Sequence, residues 1–172
     1  MRRPIKNCYW VVPKKFLAGE YPREYDEVSS IKKITPLLKA GITSFIDLTH
    51  PDDHMAPYRH FVNQLRRQPV KIRHYPIPDF SIPDSKNLTS EILNVIDLEI
   101  KENGMVYLHC WGGIGRTGTI VGCWLSRHGY NGKAALRRLH ELWKKCPKSR
   151  YRNSPESIEQ EQYIINWDEN QY

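Results

Sequence analysis

The chain has 172 residues, 40% of them hydrophobic and 26% charged, so one folded domain with a buried core is expected over residues 1–172. Its formal charge of +7 favours acidic or phosphorylated partners. No stretch reaches the ~20 apolar residues of a membrane span, and the N-terminal apolar run is too short for a signal peptide. Four cysteines form no dense disulfide framework in a chain of this size, so a cytoplasmic protein with no membrane partner is expected.

Strand-like and helix-like patterns alternate along the chain, which predicts an α/β fold built on a largely parallel sheet. In chain order the expected elements are strands at 8–12 and 15–19, a helix at 29–41, a strand at 42–49, a helix at 57–67, a strand at 70–77, a helix at 88–103, a strand at 105–108, and helices at 115–128, 133–145 and 155–167. Pro36 is expected to bend or restart the first helix. Ser154 is expected to cap the last helix, with Pro155 in its first position.

The segment HCWGGIGRTGT, residues 109–119, joins a strand to the start of a helix through a glycine-rich turn. Such a turn is an anion site, because several backbone N–H groups are unpaired there and the helix dipole adds positive potential. Gly112, Gly113 and Gly115 allow the backbone to curl so that its N–H groups face inward. Arg116 offers a planar fork that matches two oxygens of a phosphate.

Cys110 lies at the base of this turn, where the same positive field favours its thiolate. A phosphate held over an ionised sulfur suits displacement at phosphorus through a phosphocysteine intermediate. A nucleotide-binding loop would instead need Gly-Lys-Ser/Thr and magnesium, so neither a metal nor a cofactor is expected. Cys146 and Arg152 repeat the spacing of Cys110 and Arg116. That copy has Pro147 and no glycine, so we expect no phosphate site there.

On these residues the sequence resembles the cysteine-dependent protein tyrosine and dual-specificity phosphatases, and in particular their compact members similar to kinase-associated phosphatase. The likeness extends from about Tyr75 to Trp167, and more loosely back to FLAGEYP and ITSFIDLT. It implies a metal-independent phosphatase with a four- to five-stranded sheet flanked by helices. It also implies that Cys110 is the nucleophile and that Arg116 binds the phosphoryl oxygens. The substrate-binding loop would then consist of Trp111, Gly112, Gly113, Ile114 and Gly115.

Two further residues of the segment take roles from the same resemblance. Thr117 would hydrogen-bond the sulfur of Cys110 and help it to leave in the second step, although a hydroxyl at this position also suits an ordinary helix start. His109 would support the loop from behind rather than move a proton.

The leaving oxygen needs a proton, so a carboxylic acid is expected on a neighbouring loop. The loop PDFSIPDS, residues 78–85, offers Asp79 and Asp84. The family places its acid in Asp-x-x-x-Pro, and Asp79 and Pro83 have that spacing. We therefore expect Asp79 to be the general acid and Asp84 to cap the helix that follows, with Asp84 as the reserve acid.

The C-terminal segment ESIEQ resembles the part of the family that holds hydrolytic water, with one departure. Larger tyrosine phosphatases carry Gln-Thr four residues before a second Gln, whereas here Glu156-Ser157 precedes Gln160. Gln160 is therefore either a residue that positions water or an ordinary residue of an exposed helix surface. The pattern does not decide whether Glu156 or Gln160 positions the water.

The other three cysteines receive no catalytic role. Cys123 is expected in the core of the central helix. Cys8 and Cys146 have no assignable role, unless one of them protects Cys110 by forming a disulfide under oxidation.

The expected substrate is a phosphorylated protein or peptide. Trp111 and Ile114 stand where phosphoinositide-cleaving relatives carry lysines, and an apolar wall suits a phenyl ring or a peptide. A non-protein substrate (an inositol phosphate, a phosphoinositide or an RNA 5′-triphosphate) and a catalytically weak phosphate-binding module are the alternatives.

Nucleic acid is not expected as a partner, because no RNA-recognition motif is present. The oligomeric state does not follow from the sequence. One basic run is either a solvated surface or a contact for such substrates: Lys144, Lys145, Lys148, Arg150 and Arg152.

Overall fold

The computed structural model describes residues 2–169 and confirms the α/β fold. The strands are β1 (Cys8–Val12), β2 (Phe16–Gly19), β3 (Ser44–Asp47), β4 (Lys71–His74) and β5 (Val106–His109). The helices are α1 (Glu27–Lys39), α2 (Arg59–Leu65), α3 (Lys86–Lys101), α4 (Gly115–Arg127), α5 (Lys133–Trp143) and α6 (Ile158–Ile165), with 3-10 helices at Pro51–Asp53 and Pro147–Arg150. The five strands form one sheet in the order β1-β2-β5-β3-β4, in which β1 and β2 are antiparallel and the other neighbours are parallel.

The carboxyl ends of the four parallel strands lie side by side at one edge of the sheet. Gly19 of β2 and Asp47 of β3 both pair in register with His109 of β5, and His74 of β4 pairs with Asp47. Ligands of parallel sheets bind in the crevice at the carboxyl ends of the strands. The turn that follows β5 therefore lies where this fold places a binding site.

Helix α4 is the buried centre of one face of the sheet. Every residue from Gly115 to Ser126 is buried, and α3, α5 and α6 pack around it. Side chains alternate between two cores along the strands, so that Ile46 and Leu108 face α4 while Phe45 and Tyr107 face the other core. Among residues 2–169, no helix is both long and apolar enough to cross a bilayer.

Helix α1 runs through Pro36 without a restart. Asp26 caps it and accepts a hydrogen bond from the amide of Ser29 at 2.8 Å, so the helix begins two residues earlier than its periodicity predicts. Gly41 ends the turn that follows with a φ of +101°, a conformation that suits glycine.

The expected N-cap of α3 is wrong. The hydroxyl of Ser85, not the carboxylate of Asp84, accepts the hydrogen bond from the amide of Leu88 at 3.2 Å. A side chain caps a helix only where it reaches an amide two or three residues further on, and Ser85 occupies that position.

The expected start of α6 is also wrong. The helix begins at Ile158, and Ser157 caps it by accepting from the amide of Gln160 at 3.2 Å. Ser154 and Pro155 lie outside the helix, because the Ser154 hydroxyl donates to the carbonyl of Ile114 at 2.7 Å instead. The helix also ends at Ile165 rather than at Trp167.

Candidate active site

The glycine loop, residues 110–115, leaves the carboxyl end of β5 and enters α4. Gly113 has a φ of +71°, and a Cβ at this position would lie 2.3 Å from the carbonyl carbon of Gly19. A Cβ on Gly115 would lie 2.1 Å from a carboxylate oxygen of Glu156. The loop is therefore packed between the end of β2 and the segment before α6. Gly113 requires glycine, whereas a larger residue at position 115 would need the side chains of Glu156 and Gln160 to move.

Four carbonyl groups of the glycine loop accept hydrogen bonds on its outer side. The pairs are Cys110 with His109 Nδ1 (3.3 Å), Trp111 with the Tyr21 amide (2.9 Å), Gly112 with Lys148 Nζ (2.9 Å) and Ile114 with Ser154 Oγ (2.7 Å). In a planar trans peptide the carbonyl of one residue and the N–H of the next point in opposite directions. The N–H groups of residues 111, 112, 113 and 115 are therefore turned inward, which is the arrangement of an anion site.

Cys110 is buried at the base of the glycine loop. Cys8, Cys123 and Cys146 are buried free thiols, and burial raises the pKa of each, that of Cys8 to about 11. A protonated thiol is a poor nucleophile, so none of these three side chains is suited to that role. Cys146 precedes the 3-10 helix at Pro147–Arg150, so the second Cys-x5-Arg copy forms no loop of this kind.

Arg116 is a buried cation, only 1% exposed, that holds two carboxylates. Its Nη1 donates to Asp53 Oδ2 at 2.6 Å and to the carbonyl of Ile77 at 2.9 Å, and its Nη2 lies 2.8 Å from Asp79 Oδ1. Burial would lower the pKa of Arg116, but Cys110, Asp53 and Asp79 raise it overall. Its Nε has no hydrogen-bond partner within residues 2–169, whereas Nη2 is paired with Asp79, so the Nε–Nη2 edge can bind an anion at both nitrogens only after Asp79 leaves Nη2.

Asp79 lies on the loop between β4 and α3. Its carboxylate pairs with Arg116, the residue that follows the glycine loop. Its side chain is 39% exposed, so the carboxyl can meet a substrate. Asp84, the reserve acid of the sequence analysis, is exposed at the start of α3.

Gln160 is fully buried, so its interpretation as a residue of an exposed helix surface is wrong. Its Nε2 donates to the carbonyl of Ser81 in the Asp79 loop at 3.0 Å, and its Oε1 accepts from the amide of Glu156 at 3.1 Å. Since the carboxylate of Glu156 lies against Gly115, the structure brings both candidates for holding water to the glycine loop.

His109 is buried beneath the loop in its neutral form. Burial lowers the pKa of His109 and outweighs Asp47, whose Oδ1 lies 3.8 Å from Nδ1. The carbonyl of Cys110 can only accept, so Nδ1 carries the proton and Nε2 accepts from the hydroxyl of Tyr58 at 2.8 Å.

The remaining residues of the segment differ in what their side chains contact. Thr117 is buried, and within residues 2–169 its hydroxyl has no hydrogen-bond partner, so the expected bond to the Cys110 sulfur is not formed in this structure. The side chain of Ile114 packs into the core, so this residue can meet a ligand only through its backbone. Trp111 is 53% exposed at the rim.

Asp53 is a site residue that the sequence analysis missed. Its carboxylate is 4% exposed, holds Arg116 and accepts from the amide of His50 at 3.0 Å. It lies 63 residues from Arg116 in the chain, at the end of the 3-10 helix Pro51–Asp53 that follows β3. The one sequence feature that could have indicated Asp53 is its position shortly after β3, a strand that ends at the same edge of the sheet as β5.

A groove of about 400 Å³ continues from the glycine loop across the rim, and we call it the Trp111 groove. Its large aromatic and apolar side chains are Tyr21, Tyr25, Met55 and Trp111, and it shares Asp53 and Gly112 with the site. Its two lysines are paired with carboxylates, whereas its arginine is bound to a neutral carbonyl and its Nε has no hydrogen-bond partner within residues 2–169. Lys33 pairs with Glu20 (2.8 Å) and Glu24 (2.6 Å), Lys148 pairs with Glu20 (2.7 Å), and Arg23 donates to the carbonyl of Pro57 (2.5 Å).

Within residues 2–169, no group of three or more His, Cys, Asp or Glu side chains could hold a metal ion.

Comparisons with known proteins agree with this geometry. The family model described as "PTP-SAK: Swiss Army Knife protein, DSP-PTPase phosphatase domain" matches residues 5–163. Dual specificity protein phosphatase CDC14A of Homo sapiens is 30% identical over 136 residues, which cover 69% of this chain and 19% of that protein. The chain thus spans about a fifth of the length of this relative.

Two solved structures show the same fold. Kinase associated phosphatase has a TM-score of 0.70 at 18% identity, with 87% of this chain and 83% of that chain covered. The core catalytic domain of the PP-IP phosphatase SIW14 from S. cerevisiae has a TM-score of 0.70 at 16% identity, with 99% and 91% covered.

Proposed function

The chain belongs to the DSP-PTPase phosphatase family, and on this premise we propose that it hydrolyses phosphate monoesters through a phosphocysteine intermediate on Cys110. The observation that carries the proposal is the meeting of three groups at the glycine loop. The sulfur of Cys110 lies at its base, the guanidinium of Arg116 follows it, and the carboxyl of Asp79 lies 2.8 Å from Arg116 Nη2. The proposed reaction uses no metal ion.

In the first step the Cys110 thiolate attacks phosphorus, and the bond between phosphorus and the leaving oxygen breaks. The inward N–H groups and the Nε–Nη2 edge of Arg116 hold the other three oxygens. Asp53 and the carbonyl of Ile77 occupy Nη1, so Arg116 is oriented before substrate binds. The phosphate replaces the Asp79 carboxylate at Nη2, the freed carboxylate takes up a proton from solvent, and in this acid form Asp79 gives the proton to the leaving oxygen.

In the second step a water oxygen attacks phosphorus, the sulfur–phosphorus bond breaks, and the Asp79 carboxylate accepts the proton of the water. We assign the buried hydroxyl of Thr117 to the departing sulfur, because its hydrogen-bonding capacity is unused within the described chain. Gln160 and Glu156 are positioned to hold the water, since both lie against Gly115.

The Trp111 groove supports a phosphorylated protein or peptide as substrate. A second phosphate of an inositol polyphosphate would need a free cation beside the glycine loop, and the two lysines that line the groove, Lys33 and Lys148, are already paired with Glu20. Exposed aromatic side chains, in contrast, suit the ring of phosphotyrosine or an apolar residue next to the phosphorylated one. SIW14, a PP-IP phosphatase by its title, shares the fold, so a non-protein substrate is the alternative to test.

The proposal is tested by measuring kcat/KM on phosphotyrosyl and phosphoseryl peptides, an inositol polyphosphate, a phosphoinositide and a 5′-triphosphate RNA. We expect the highest value on a phosphopeptide, with activity that survives EDTA and is blocked by vanadate. The highest value on the polyphosphate would contradict the substrate assignment. Binding of vanadate without turnover of any ester would instead indicate a phosphate-binding module.

We also propose that the chain forms one catalytic domain that works in the cytoplasm. One continuous sheet with a core on each face supports a single domain. Four buried free thiols support a reducing compartment.

A further inference from the structure

Among the four outward carbonyls of the glycine loop, that of Gly112 is held by a charged side chain. Lys148 lies in the 3-10 helix at Pro147–Arg150, and its Nζ donates to the Gly112 carbonyl at 2.9 Å. The side chain of Lys148 is only 16% exposed. We infer that Lys148 is a positioning residue of the phosphate site, which keeps the Gly112 carbonyl outward and thereby keeps the N–H of Gly113 directed at the phosphate.

A chain of ion pairs fixes the ammonium of Lys148. Glu20, whose side chain is 15% exposed, lies 2.7 Å from Lys148 and 2.8 Å from Lys33, and it accepts from Asn7 Nδ2 at 2.9 Å. Burial would raise the pKa of Glu20, but the two ammonium groups lower it overall, so the carboxylate stays charged. Charge-assisted hydrogen bonds are stronger than neutral ones, so Lys148 is a firm anchor for the Gly112 carbonyl.

The same peptide group is confined from the other side. The backbone amide nitrogen of Glu20 lies 2.6 Å from where a Cβ of Gly113 would be, so the end of β2 packs directly against this residue. The backbone of Glu20 thus packs against Gly113. Its carboxylate pairs with Lys148, which in turn donates to the carbonyl of Gly112. The peptide between Gly112 and Gly113 is held in one orientation.

Lys148 differs in this respect from three other residues of the basic run, whereas Arg152 pairs with Glu156. Lys144, Lys145 and Arg150 are exposed, whereas Lys148 is turned toward the loop. The ammonium of Lys148 therefore binds the glycine loop and does not belong to a solvated surface. This inference rests on the proposed function only in so far as the N–H of Gly113 binds a phosphoryl oxygen.

The test compares Lys148→Met, Lys148→Arg and the matched control Lys144→Met in the full chain, by vanadate affinity, kcat and KM on an aryl phosphate, and thermal melting. We expect Lys148→Met to weaken vanadate binding and to lower kcat/KM by about tenfold, as for loss of a charged hydrogen bond. Lys148→Arg, which can still donate to the carbonyl, should regain most of both. Lys144→Met should match the wild type.

A lower melting temperature of Lys148→Met with unchanged vanadate affinity and kcat/KM would show a merely structural ion pair and overturn the inference. If Lys148→Met does not fold, Glu20→Gln decides, because it removes the partner charge with little change of shape. Weaker vanadate binding by Glu20→Gln supports the inference, and wild-type binding overturns it. Vanadate binding needs no turnover, so a Lys148-dependent affinity would support the inference even if the chain hydrolysed no ester and the proposed function failed.

Discussion

Arg116 binds two carboxylates that differ in exposure. The side chain of Asp53 is 4% exposed and that of Asp79 is 39% exposed. A phosphate can displace the exposed partner, whereas the buried partner stays and orients the guanidinium. This difference is why we propose that Asp53 positions Arg116 and that Asp79 transfers the proton.

Asp53→Asn is expected to lower kcat/KM by roughly tenfold to a hundredfold, the usual cost of a lost hydrogen bond to a charged group. The amide still fills the space, but Arg116 loses the charge that orients it. The control is Asp52→Asn, since Asp52 is the neighbouring residue and its side chain is exposed. Equal kcat/KM values for the two variants would argue against a positioning role for Asp53.

Asp79→Asn is expected to slow the reaction most for poor leaving groups such as phosphotyrosine or phosphoserine. An activated aryl phosphate needs little help from a proton, so its rate should fall less than the ~10²–10⁴-fold typical of general acid catalysis. The measurement is the rate of both classes of ester, with Asp84→Asn as control. If Asp84→Asn showed the dependence on the leaving group and Asp79→Asn did not, the acid would be Asp84.

At the scale of elements, the cap of α3 gives a direct test of the corrected helix start. Ser85→Ala removes the acceptor of the Leu88 amide and should lower the free energy of unfolding by about 1 kcal/mol. Asp84→Ala should leave it nearly unchanged. Urea denaturation measures both, and a larger loss for Asp84→Ala would restore the cap that the sequence predicts.

The elements also show what a sequence can reveal about this site. The glycine loop was predictable because its signal is local: a strand, a turn with three glycines and a helix follow one another within residues 105–119. Asp53 and Lys148 were not, because each reaches the loop from a distant part of the chain. The sheet order brings Asp53 to the loop, because it places the end of β3 beside β5, and the 3-10 helix after α5 brings Lys148 there. Ser154 was misjudged for the same reason, since a local pattern suggested a cap and a distant carbonyl attracts it.

At the scale of the whole molecule, the buried His109 links stability to pH. The pKa of His109 is lowered by burial, so the unfolded chain takes up a proton near pH 6.5 that the folded chain does not. This contribution to stability is present above about pH 6.5 and is lost as the pH falls below it, with a slope of at most about 1.4 kcal/mol per pH unit. His109→Gln should reduce that slope in urea unfolding followed across this range. Identical slopes would mean that His109 titrates alike in both states.

The most direct test of the account is where the phosphoryl group is attached during turnover. Acid quenching of the working protein followed by peptide mass spectrometry should find one phosphoryl group on the peptide that contains Cys110. The adduct should be absent from Cys110→Ser and present in Cys146→Ser. A phosphoryl group on another residue, or turnover by Cys110→Ser at the wild-type rate, would contradict the phosphocysteine mechanism.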